Sequence, residues 1–281
     1  MLFELLRIKQ WYKNLLVFLP LIFVGLATEK ESLFLTFLAF FALCCMSSVN
    51  YILNDILDRK KDSIHSEKKQ RPIAAGEISI PSAGIIAALL AITSLVIGIA
   101  LSTQFFLLLL VFFFLTFIYS TWAKEELFLD LIFISINFVL RAMAGAYVLH
   151  VRMSPWLIVC TFFLSFFIAI AKRKADIMFL KENAQKHKIV LKDYSPEIIN
   201  LLMAIATSVL ILSYSLYSFL SIYPHLIYTL PFSLYVILRY FYLAETGSAI
   251  VRKPENFYKD TRLILGILAW CIAVVNIIYF V

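Results

Sequence analysis

Three aspartates stand close together in the run Asn54-Asp55-Ile56-Leu57-Asp58-Arg59-Lys60-Lys61-Asp62. On an α-helix, Asp55, Asp58 and Asp62 fall at i, i+3 and i+7, which is one face, and Asn54 neighbours Asp58 at i, i+4. Carboxylates sharing a face repel by a few tenths of a kcal/mol per pair even when solvated. At a poorly solvated boundary the cost rises, and a bound cation removes it. Hard oxygen ligands that leave room for water and substrate phosphates suit Mg²⁺. The plainer alternative is a solvated helix end neutralised by Arg59, Lys60 and Lys61. Against it stands the cationic stretch that follows, His65-Ser66-Glu67-Lys68-Lys69-Gln70-Arg71, closed by the turn Pro72-Ile73-Ala74-Ala75-Gly76. Metal-binding carboxylates beside Lys68 and Arg71, which can take phosphate oxygens, form the combination that magnesium-diphosphate binding requires.

The elements that must position these groups are membrane spans. Of 281 residues, 62% are apolar and 15% charged, against about 45–50% and about 25% in soluble domains. Apolar runs near the ~20 residues that cross a bilayer occur nine times: 14–28, 33–53, 80–101, 104–121, 127–149, 155–171, 197–220, 223–244 and 262–280. The composition predicts an all-α polytopic membrane protein, a single integral domain over 1–281. One set of span ends holds 21 of the 25 Lys and Arg, the other only Lys30 and Arg152. This asymmetry places the N-terminus and the long loops in the cytoplasm and the C-terminus outside. It also accounts for the net charge of +7 without nucleic acid, while anionic lipid or a phosphorylated substrate remains compatible. A cleaved signal peptide is the rival reading of the N-terminus. Trp11 and Tyr12 instead read as interfacial anchors. The four cysteines lie in apolar spans with no metal-ligand spacing and read as packing residues.

Further polar residues lie inside or beside the spans. Asp130, Asn137 and Arg141 are spaced i, i+7 and i+11, again one helical face. Arg141 lies about 16 Å beyond Asp130 along the helix, too deep for a loop. An intramembrane arginine faces a cavity or a partner, not lipid. Either an interhelical salt bridge or a polar stripe facing a substrate cavity would satisfy it, and the stripe is the preferred reading. Lys172, Arg173, Lys174, Asp176, Lys181, Lys186, His187, Lys188 and Lys192 form a basic loop after the sixth span. Positive-inside topology explains most of these lysines. No histidine pairs with Cys or Ser at useful spacing, and no glycine-rich nucleotide fingerprint is present.

Taken together, Asn-Asp-x-x-Asp-x-x-x-Asp after the second of nine spans resembles the first aspartate-rich motif of the UbiA prenyltransferase superfamily. Arg7-Ile8-Lys9-Gln10-Trp11-Tyr12-Lys13-Asn14, the stretch from Arg71 to Gly76, and Leu140-Arg141-Ala142-Met143-Ala144-Gly145 are similar to the branch that contains decaprenyl-phosphate phosphoribosyltransferases. The resemblance implies a UbiA-like helical bundle with cytoplasmic active-site loops. It implies Asp55, Asp58 and Asp62 as catalytic metal ligands for Mg²⁺. It also implies substrate-binding roles for Lys9, Lys13, Asn14, Asn54, Lys68, Arg71, Tyr119, Lys124, Asp130, Arg141, Lys172 and Arg173. Tyr119 and Lys124 otherwise read as an interfacial aromatic and a snorkelling lysine.

The sequence departs from the aromatic prenyltransferases at one informative place. The loop after the sixth span lacks a second Asp-x-x-x-Asp motif and carries basic residues around a lone Asp176. One metal site with two basic patches suits two anionic substrates. The expected reaction is transfer of 5-phosphoribosyl from phosphoribosyl diphosphate to a lipid-linked polyprenyl phosphate, as in cell envelope biosynthesis. The alternative is a prenyltransferase moving a polyprenyl chain to an aromatic or other small acceptor, and a transporter or lipid-binding scaffold is a third class. Membrane lipids are expected partners, and a homo-oligomer is compatible with the sequence.

Overall fold

In lipid every backbone N–H and C=O must be paired within the protein, so long apolar segments fold as helices. The computed structural model describes residues 1–64, 68–180 and 189–281, and these contain helices and no strand. His65, Ser66, Glu67, Lys181, Lys186, His187 and Lys188 lie outside the described residues. Eight described helices are long and apolar enough to cross a membrane. They are α1 (Lys30–Leu57), α2 (Ile80–Leu101), α3 (Thr103–Thr121), α4 (Leu129–Val148), α5 (Pro155–Leu180), α6 (Pro196–Phe219), α7 (Leu230–Glu245, entered through a 3-10 turn Pro224–Thr229) and α8 (Thr261–Phe280). They match the second to ninth runs read from hydropathy. Their starts carry ordinary stop-and-start chemistry: Ser79, Ser195 and Asp260 cap α2, α6 and α8 with side-chain oxygens, and prolines occupy the first turns of α2 and α6.

The first apolar run takes a different form. Residues Ile8–Phe18 are a 3-10 helix, followed by a short α-helix Leu19–Phe23. Pro20 opposes an α-helix here because its ring would clash with the carbonyl of residue 16. The segment nevertheless runs the length of α1. Arg7 pairs with Asp55, Trp11 donates to Ser48, Asn14 donates to Cys44, and the Phe18 ring meets Phe37 edge-on. The partner numbers fall as the segment numbers rise, so the two run antiparallel. The first apolar run is thus present as an irregular companion of α1, and its 3-10 geometry was not legible in hydropathy.

The chain divides into two compact units. The first comprises Met1–Thr121 and Leu140–Arg152, the second Trp122–Val139 and Met153–Val281, so α4 contributes its beginning to one and its end to the other. In the first unit α1 packs along α2, with Ser94 donating to the Ala42 carbonyl at 2.8 Å. Gly145 on α4 meets the 3-10 segment so closely that a β-carbon there would lie 1.9 Å from the Val17 carbonyl oxygen. That contact explains the glycine better than any need for flexibility, as small residues permit close helix approach in membranes. In the second unit α5 and α6 form the core pair, with Phe167, Ile170, Met203 and Leu210 buried between them and their neighbours. Across the spans, burial is greatest for α1, at 56% of its apolar window, and least for α2, at 17%. The most enclosed helix is therefore the one that carries Asp55 and leads into Asp58 and Asp62.

Candidate functional site

Asp55 and Asp62 are brought together at the C-terminal end of α1. The helix stops at Leu57. Asp58 leaves helical geometry as its cap, and the chain resumes as a short helix, Arg59–Ser63. The three aspartates therefore do not share one continuous helix face, as their spacing had implied. Asp55 projects from α1 and Asp62 from the short helix, both buried at 2–3% exposure, while Asp58 is half-buried at the break. Among the described residues, no group of three His, Cys, Asp or Glu gathers around one ion position.

Two arginines hold the buried pair. Arg7 Nη2 donates to Asp55 Oδ1 at 2.5 Å, and Arg71 Nη1 donates to that same oxygen at 3.0 Å and to Asp62 Oδ2 at 2.6 Å. Lys68 Nζ lies 3.9 Å from Asp62 Oδ1. Arg71 is delivered by a rigid turn. Pro72, Ile73 and Ile78 are buried, Ile73 and Ile78 in the core of the first unit, and Gly76 turns the chain at φ +79. The backbone nitrogens of Glu77 and Ile78 both close onto the Pro72 carbonyl. The Arg-Pro-Ile-Ala-Ala-Gly run is thus a mount for one guanidinium. Arg7 arrives from the other side, at the left-handed residue that begins the 3-10 segment.

Deeper along α1 the first unit contains a second polar group. Arg141 Nε donates to Asn14 Oδ1 at 2.8 Å and its guanidinium lies over the Phe112 ring. Ser47 donates to the same Asn14 oxygen at 3.3 Å. Tyr51 receives a hydrogen bond from Lys13, and Arg7 lies over its ring, 4.8 Å from the centroid. The Asn50 side chain is buried, and both of its polar atoms lack a hydrogen-bond partner among the described residues. Lys9 is exposed on the 3-10 segment, and Asn54 and Tyr119 are half-buried. Sequence reasoning passed over Arg7, Asn50 and Tyr51 as site residues. The i, i+4 spacing of Asn50 and Asn54 was the available signal.

The second unit holds a separate cluster. Asp130 is fully buried. Its Oδ2 accepts from Arg173 Nε at 2.9 Å and its Oδ1 from the Tyr194 hydroxyl at 2.7 Å. The Tyr194 oxygen in turn accepts from the Phe128 backbone N–H. Burial, reinforced by the Asp130 charge, pushes the Tyr194 phenol above its ordinary range. Lys172, Arg173, Lys174 and Asp176, expected in a loop, lie instead on the last turns of α5, which continues to Leu180. Asp176 is held there by Arg252 at 3.1 Å, and Lys174 by Asn200 and Glu245. The stripe expected along α4 therefore resolves into separate partners: Asp130 meets Arg173 and Tyr194, Asn137 donates to the Phe133 carbonyl, and Arg141 meets Asn14. Lys124 and Lys172 are half-buried in this unit.

The apolar helices define an integral membrane protein, and the chain belongs to the UbiA prenyltransferase family, whose model matches residues 16–259. Among curated relatives, it is 29% identical to the decaprenyl-phosphate phosphoribosyltransferase of Mycolicibacterium smegmatis, covering 99% of this chain and 92% of that one. It is 30% identical to the enzyme of that name from Corynebacterium glutamicum, covering 98% and 85%. Among solved structures, a UbiA homolog from Archaeoglobus fulgidus bound to GPP and Mg²⁺ shares the fold with a TM-score of 0.74 at 20% identity, over 98% of this chain and 99% of that one.

Proposed function

We propose that this protein transfers a 5-phosphoribosyl group from phosphoribosyl diphosphate to the phosphate of a polyprenyl lipid, releasing diphosphate. The observation that carries this reading is the buried Asp55–Asp62 pair enclosed by Arg7, Arg71 and Lys68. The full-length likeness to phosphoribosyltransferases supports it. So do the ion pairs that occupy Asp176 and Lys174, since no second carboxylate site is built there among the described residues.

The carboxylates fit a magnesium ion. Two hard oxygen donors converge on one point, Arg71 Nη1, and Mg²⁺ is commonly held by one or two carboxylates plus substrate phosphates. Asp55 and Asp62 would hold it, with Asp58 close by at the helix break. A bound Mg²⁺ would neutralise charge on the departing diphosphate. The chain's own groups supply the remainder. Arg7, Arg71 and Lys68 take phosphate oxygens, bidentate where a guanidinium permits. The acceptor phosphate is already ionised at neutral pH, so the reaction at the ribose C1 needs no strong general base. Lys13, Asn14, Asn54 and Arg141 in the first unit, and Lys9, Tyr119, Lys124, Lys172, Asp130 and Arg173 by resemblance, are proposed as substrate-binding or positioning residues. The charge asymmetry of the loops puts the N-terminus and this site on the cytoplasmic side and the C-terminus outside.

Membranes containing the protein, given labelled phosphoribosyl diphosphate and polyprenyl phosphate with Mg²⁺, are expected to form lipid-soluble label. Label transferred only from a prenyl diphosphate to aromatic acids would overturn the reading.

A further inference from the structure

We propose that Arg7 and Arg71 are exchangeable counter-ions of Asp55 and Asp62, so that a divalent cation binds well only together with a diphosphate, and that Arg7 is a phosphate ligand held in reserve. The inference rests on the assignment of a metal-diphosphate site to this carboxylate pair.

The charge arrangement leads to it. Two carboxylates face two guanidinium groups at 2.5–3.0 Å, with the Lys68 ammonium at 3.9 Å. The cluster is thus already neutralised by the protein, and a bare dication gains little by joining it. Exposure is layered in the same sense. The Arg7 and Arg71 side chains are 22% and 24% exposed, whereas those of Asp55 and Asp62 are 3%. A solute reaching the cluster meets guanidinium before carboxylate. That order repels a cation and attracts an anion.

The mounts permit the exchange. Arg7 and Arg71 come from separate elements, and both have long side chains that can change rotamer without backbone movement. The Arg7 guanidinium also lies over the Tyr51 ring while it is paired with Asp55, so a cation–π contact can keep it beside the cluster when its carboxylate bond is given up. A diphosphate offers acceptors to both guanidinium groups and so frees Asp55 Oδ1, which they share, and Asp62 Oδ2, which Arg71 holds. Each ligand then makes room for the other, which is positive coupling, and coupling of this kind is reciprocal.

Purified full-length protein in detergent, titrated with Mn²⁺ and followed by electron paramagnetic resonance, tests this without turnover. With Mn²⁺ alone, Arg71→Gln and Arg7→Gln should each bind the ion about tenfold or more tightly than wild type, and Arg7→Lys should stay near wild type. Equilibrium dialysis at saturating Mn²⁺ should show both glutamine variants retaining less ³²P-labelled diphosphate than wild type. Thermal melts confirm that each variant is folded, and the two variants sit on independent elements. Unchanged or weaker Mn²⁺ binding in both glutamine variants, with binding still abolished by Asp55→Asn, would overturn the exchange while leaving the metal site standing. Mn²⁺ binding that is absent, or indifferent to Asp55→Asn, would remove the metal site and the inference with it.

Discussion

Two of the aspartate–arginine assemblies among the described residues, one around Asp55 and Asp62 in the first compact unit and one around Asp130 in the second, differ in what the surrounding fold leaves unfinished. Around Asp130 both carboxylate oxygens have a buried protein donor, one from Arg173 and one from Tyr194. Around Asp55 and Asp62 a single guanidinium nitrogen serves two carboxylates, a second arginine crowds an oxygen already in use, and the cations form the outer layer. The same side chains therefore support opposite purposes. A saturated, fully enclosed pair fixes the packing of its helices, while a shared pair with an exposed cationic rim can rearrange around a ligand.

The comparison is broken most easily at its rigid end. Asp130→Ala leaves Arg173 and Tyr194 buried without their acceptor and should cost about 3–5 kcal/mol, seen as a large drop in the thermal midpoint in detergent. Asp55→Asn should change that midpoint little, because its arginines can turn to water and partly exposed ion pairs contribute about 0–1 kcal/mol. Equal losses from the two variants would erase the distinction. Asp55→Asn should instead lower phosphoribosyl transfer by about 100-fold or more, since even the partners of metal ligands cost 10- to 100-fold in affinity when lost.

Tyr194→Phe gives a smaller effect of about 1.5–3 kcal/mol, the range for a hydrogen bond to a charged group. It also carries a pH signature. The Tyr194 phenol titrates higher in the folded protein than in the unfolded chain, where tyrosine ionises near about pH 10. Its contribution is therefore fully present below that pH and declines as pH rises above it. The difference in melting midpoint between wild type and Tyr194→Phe should shrink in the alkaline range, and a constant difference would argue against a buried neutral phenol. The smallest effect belongs to the first unit. Asn50→Leu removes an amide that has no hydrogen-bond partner among the described residues and should stabilise by about 1 kcal/mol at most. Slower transfer in the same variant would mark that amide as one completed by substrate.

Much of the fold was legible because hydropathy reports span length directly, and the runs at 80–101, 155–171 and 262–280 begin within a residue of the helices they became. The form of the first run was hidden, because apolar content does not distinguish an α-helix from a 3-10 segment and Pro20 only weakens the first. Helical spacing grouped Asp55, Asp58 and Asp62, but it does not carry the break at Asp58 that ends α1 and sets Asp62 on the next short helix. The Arg7–Asp55 contact joins residues 48 apart and leaves no local pattern to read. Along α4 the periodicity correctly found three polar residues. It could not show that each had a different partner, since that depends on which neighbouring segment arrives.

The irregular first segment also determines how far the N-terminal arm extends. Eleven residues in 3-10 form, Ile8–Phe18, reach about 5 Å further than the same residues would as an α-helix. With the Val17 carbonyl pressed against Gly145, that extra length is what carries Arg7 to the carboxylates at the other end. Helix type here works as a ruler. Relaxation of the segment into an ordinary α-helix would act on the guanidinium at its far end, shortening the arm by about one helical turn.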